Sequence, residues 1–146
     1  MWKYLCLSAL LIGSASAGDH PNLNGTWLLD SAHSQIRDPK LKTETLEIQQ
    51  KEDSVDIADE VNLGGKDHKW AYQCLADGST CKAKDLSVML YYNGPVLVVM
   101  EMRHNNEIVI KKRLKASDDG KTLSMDVIHV APVGMKDETL TFVKQK

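Results

Sequence analysis

The feature that most constrains this chain is a repeating punctuation. Short runs of alternating apolar and polar residues are broken by groups that accept a tight reverse turn. Asn93-Gly94, Asn105-Asn106 and Asp118-Asp119-Gly120 each separate two such runs. Asn, Asp and Gly tolerate the positive φ that short hairpins demand. Period-two alternation sends successive side chains to opposite faces of a strand. Runs joined by turns this short must lie antiparallel beside one another. The strongest helix signal, residues 31–37, amounts to a turn or two after the first strand.

Strands are expected over residues 25–30, 43–50, 54–58, 68–74, 86–92, 95–103, 107–115, 121–130 and 138–144. Between 95 and 103, Val96, Val98, Met100 and Met102 share one face, while Leu97, Val99, Glu101 and Arg103 share the other. Ile108, Ile110 and Leu114 line up next, with Lys112 in the same row. Leu123, Met125 and Val127 follow, continued by His129, and Leu140 and Phe142 complete the set. One apolar face per strand, repeated around a meander, suits a sheet curled on itself. The expected fold is all-β, an antiparallel up-and-down barrel of about eight or nine strands.

Ahead of this pattern stands a different kind of segment. Met1-Trp2-Lys3 leads into an apolar run from Tyr4 to Gly13, which ends in Ser14-Ala15-Ser16-Ala17. A short basic start, an apolar centre and a small-x-small end describe a cleaved signal peptide. The apolar run falls short of the ~20 residues a membrane span requires. Residues 1–17 are therefore expected to be removed near Ala17, leaving 18–146 as one domain that is secreted or periplasmic. Lys3 leaves with the leader, so the 18 Lys and Arg of the full chain fall by one against 20 Asp and Glu. A slightly acidic domain is a poor partner for nucleic acid or anionic membrane, which need concentrated positive charge. No later stretch is long enough for stable membrane insertion, and the domain is expected to be a monomer.

Cys6 also leaves with the leader, and Cys74 and Cys81 remain. An even pair in an oxidising compartment suggests a disulfide. The Asp77-Gly78 turn between them would bring their ends together. The stapled loop is a natural surface for a protein partner, because a staple preorganises what it closes.

Three stretches resemble secreted bacterial lipocalin-like proteins: the opening strand Gly25-Thr26-Trp27, the hairpin Ser117-Asp118-Asp119-Gly120-Lys121-Thr122-Leu123, and the closing strand from Glu138 to Gln145. The resemblance implies a small lipocalin-like barrel and no particular ligand. Trp27 is read as a structural plug at one barrel end, for the apolar area it buries.

No catalytic constellation emerges. The serines lack a nucleophile-elbow context, no histidine pair has local metal-ligand spacing, and no glycine loop is built to hold a phosphate-bearing cofactor. The inward rows instead suggest a lumen for a small apolar or amphipathic ligand. Lys112 and His129 would be its polar handles, with Met100, Met102, Met125 and Tyr92 as adaptable or amphipathic wall. A protein-interaction or inhibitor module working through its loops is the alternative. A hydrolase or isomerase at the barrel mouth would need a histidine within reach of a carboxylate or nucleophile.

Overall fold

The structure, a computed structural model, describes residues 20–146 apart from 104, 106 and 132. The expected leader and His104 lie outside the described residues. Ten strands follow one another: β1 (Gly25–Leu29), β2 (Leu41–Gln50), β3 (Ser54–Leu63), β4 (Lys66–Leu75), β5 (Asp77–Ala83), β6 (Leu86–Asn93), β7 (Val96–Met102), β8 (Ile108–Ala116), β9 (Thr122–His129) and β10 (Glu138–Lys144). A single turn of 3-10 helix, Ser31–His33, follows β1.

All pairings are antiparallel, and the sheet order is β4-β3-β2-β1-β10-β9-β8-β7-β6-β5. Sequence neighbours pair everywhere except between β4 and β5, and β1 lies between β2 and β10 to carry the meander round on itself. The two sheet edges, β4 and β5, come side by side without forming a ladder. Two ties cross this seam. The Cys74–Cys81 disulfide joins strands whose Cα atoms stand 5.6 Å apart, and Lys84 Nζ donates to the Lys69 carbonyl at 2.7 Å.

The strand count exceeds the expectation, for local reasons. The segment expected to be a stapled loop is largely strand, because the chain reverses around Ala76 and continues as β5. That strand reads as polar because it is an edge, exposed along much of its length. β3 and β4 also run further than expected and meet at Gly64-Gly65. Their φ values of +61° and +88° are open to glycine at little steric cost and match the twist of a two-residue hairpin. Asp59, an acid at an inward position of β3, interrupts an otherwise apolar row and hides the strand's length from the alternation.

The barrel ends differ. The β2–β3, β4–β5, β6–β7 and β8–β9 connections gather at one end, together with residues leading into β1. Here Leu23, Trp27, Ile48, Leu97, Leu123 and Phe142 form part of one buried apolar cluster. Trp27 is fully buried, its Nε1 donates to the Leu23 carbonyl at 2.9 Å, and Lys144 Nζ stands 5.2 Å from its ring centre. The other five connections gather at the opposite end, where the lumen opens.

Candidate functional site

Toward that second end the lumen holds a cavity of about 370 Å³. Apolar wall comes from Leu41, Val61, Trp70, Met125, Val127 and Leu140. Into this wall the strands set a group of charges. Alternation along β2 carries the inward row of Ile48 and Leu46 on to Glu44, and along β3 it places Asp59 between Ile57 and Val61. On β7, Glu101 continues the row of Leu97 and Val99, and on β8 Lys112 lies between Ile110 and Leu114. Register then brings Glu101 opposite Ile110, and Val99 opposite Lys112.

Lys112 Nζ donates to Asp59 Oδ2 at 3.2 Å and forms an ion pair with Glu101 Oε1 at 3.0 Å. Burial alone would lower its pKa. The Glu101 and Asp59 carboxylates outweigh that and hold the ammonium well above the ordinary lysine range. Glu44 is pushed up to about 8, first by burial and then by the negative charge of Asp59, against the opposing pull of Lys112. Near neutral pH the Glu44 carboxyl therefore holds its proton. Burial likewise pushes the Tyr72 hydroxyl up, against the lowering field of Lys112. Asp59 Oδ1 is buried without a hydrogen-bond partner among the described residues. Nearer the mouth, Glu138 Oε1 accepts the backbone N–H groups of Arg37 and Asp38, both at 2.7 Å, fastening the β1–β2 connection to β10.

Two of the residues expected to line a lumen, Lys112 and Met125, are in this wall. Met100 and Met102 are not. The inward row of β7 is Leu97, Val99 and Glu101, so the two methionines face outward. Both faces of β7 are rich in apolar side chains, and the row carrying charge is the inward one because Glu101 finds its partner in Lys112. His129 ends the inward row of β9 outside the cavity lining; its backbone N–H donates to Asp137 Oδ1 at 3.0 Å, and its Nδ1 is buried without a partner among the described residues. Tyr92 belongs to the closed end, where Gln50 Nε2 donates to its hydroxyl at 2.8 Å and the His20 ring stacks on it at 4.0 Å.

Glu44, Asp59, Glu101, Trp70 and Tyr72 were not foreseen as site residues. The signal that exposed Lys112, a charge in an inward apolar row, was equally present at Asp59 and Glu44. Among the described residues no histidine lines the cavity. His33 does meet a carboxylate, Asp30, at 2.7 Å, but on the exposed surface. No group of metal-ligating side chains comes together among the described residues.

Several solved structures share this architecture. Human cRBP IV superposes with a TM-score of 0.62 at 15% identity, covering 85% of this chain and 98% of its own. Apo lipid binding protein 8 of Caenorhabditis elegans gives 0.57 at 15% identity, over 84% of this chain and 94% of that one. Fatty-acid-binding protein 1 of Echinococcus granulosus gives 0.56 at 11% identity, over 85% and 98%. At these identities the likeness establishes the fold, a lipocalin and fatty-acid-binding-protein type of barrel. No protein-family model matches the sequence, and no curated relative matches it.

Proposed function

We propose that this protein is an exported barrel that binds a small amphipathic molecule in its lumen. The observation that carries the reading is the cavity itself, about 370 Å³ of mostly apolar wall with polar groups converging on one patch. Ligand sites are built in this way, and this volume lies toward the small end of their range. The neighbours in fold support the class of ligand, since their names describe lipid and fatty-acid binding. The Cys74–Cys81 disulfide across the seam suits an oxidising compartment, in keeping with the N-terminal leader and with the resemblance to secreted lipocalin-like proteins.

Native mass spectrometry of the protein purified from its own host tests the reading. The expected result is a small-molecule adduct that is lost on denaturation and missing from Val127→Trp, whose indole would fill the cavity. No adduct, together with no binding of decanol by calorimetry, would overturn it.

Interaction through loops is less well supported around the disulfide, because that segment is committed to β4 and β5. It finds a different foothold in the β9–β10 connection, where Val133 and Met135 are exposed. Loss of a partner from pull-downs on Val133→Ser with Met135→Ser would favour it.

A further inference from the structure

We infer that the lumen selects a ligand with a cationic, hydrogen-donating head, an aliphatic amine, whose ammonium lodges against Asp59 and Glu44 while its tail lies along Val61, Val127 and Leu140. This rests on the lumen-binding reading above and names the chemistry of the head group. The inner wall sets three carboxyls, Glu44, Asp59 and Glu101, against one ammonium, Lys112. Lys112 is already committed to one oxygen each of Asp59 and Glu101. Asp59, 4% exposed, keeps its other oxygen buried without a partner. A buried acceptor left this way is costly, and the cost is relieved by whatever brings a donor.

An incoming carboxylate would bring more acceptors and more negative charge to this patch. A hydroxyl would bring one donor and no charge. An ammonium brings three donors and the missing positive charge. The groups facing the head are Glu44 from β2, Asp59 from β3, Tyr72 from β4, Glu101 from β7 and Lys112 from β8, with Arg103, Asp38 and Glu138 nearer the mouth. Lys112 would repel a cation, but it is outnumbered, and its charge is spent on Glu101 and Asp59. Glu44 is the adjustable member: neutral in the empty cavity near neutral pH, it gives up its proton when a cation arrives beside it. Binding of an amine is thereby coupled to proton release.

Calorimetric titration of the intact protein with decylamine, decanol and decanoate, each below its micelle concentration, separates these possibilities. Decylamine is expected to bind about tenfold or more tightly than decanoate, with decanol between them. Near pH 6.5 the decylamine enthalpy should vary with the ionisation enthalpy of the buffer, reporting proton release, and Glu44→Gln should abolish that dependence. In Lys112→Met, decylamine should raise the Tm more than it does in the native protein, because it supplies the ammonium that was removed. Decanoate binding as tightly as decylamine would overturn the head-group assignment and leave the lumen reading standing. Failure of all three, decanol included, would overturn the lumen reading and this inference with it.

Discussion

At the closed end of the barrel Leu23, Trp27, Leu123 and Phe142 are each 0% exposed within a single apolar cluster. Half a barrel away, the same inward-facing rows carry Glu44, Asp59, Glu101 and Lys112 around a cavity. The strands are continuous from one region to the other, so the difference lies in side chains alone. Along β2 the row Ile48, Leu46, Glu44 passes from packed core to charged wall within three residues of one face. The closed end is arranged for stability. The open end accepts buried charge and empty volume, both of which oppose folding and are worth keeping where something is to be bound.

Mutation should make this contrast quantitative. Trp27→Ala, which empties the centre of the closed end, is expected to cost about 3–5 kcal/mol in chemical denaturation. Leu140→Ala, beside space that already exists, should fall below the usual range for a buried leucine. Equal losses at the two positions would mean that the cavity wall is packed as tightly as the plug.

Lys112→Met comes next, at about 3 kcal/mol near pH 8, because it leaves Asp59 and Glu101 as buried charges without their partner. The loss should shrink as the pH falls and those carboxylates take up protons. A loss independent of pH would mean that packing, and not charge, is what Lys112 contributes. Reduction of Cys74–Cys81 should cost about 2–3 kcal/mol, the loop-closure value for so short a separation. Hydrogen exchange should quicken first in β4 and β5, which border the seam.

The last effect is a slope with pH. Glu44 titrates near 8 in the folded chain against an ordinary 4.5. Between those values the folded chain holds a proton that the unfolded chain has released. Stability from this group is therefore fully present below about pH 4.5 and is lost as the pH rises toward 8, by up to about 1.4 kcal/mol per pH unit. Glu44→Gln should flatten the slope across that window, as read from denaturation midpoints. An unchanged slope would place the titrating group elsewhere.

The meander was legible because its turns carry residues chosen for backbone shape, and its inward rows are mostly apolar. The rest was hidden where those two rules lapse. β5 lacks an apolar rhythm because it is an edge strand, and Asp59 broke the rhythm of β3 from within. On β7 both faces are apolar enough to pass as core, and the charge on Glu101 pointed to the wrong one. Its true side depends on Lys112 across the ladder, a pairing set by register. A charge inside a barrel is explained by its partner on another strand, and alternation along one strand does not reveal that partner.

The central claim, that the open end binds and the closed end does not, is tested most directly by an amide NMR titration with decanol. Resonances of Val61, Tyr72, Val127 and Leu140 are expected to shift saturably, while those of Leu23, Trp27 and Leu123 stay in place. Shifts confined to the outer face of the sheet, or none at all, would contradict it.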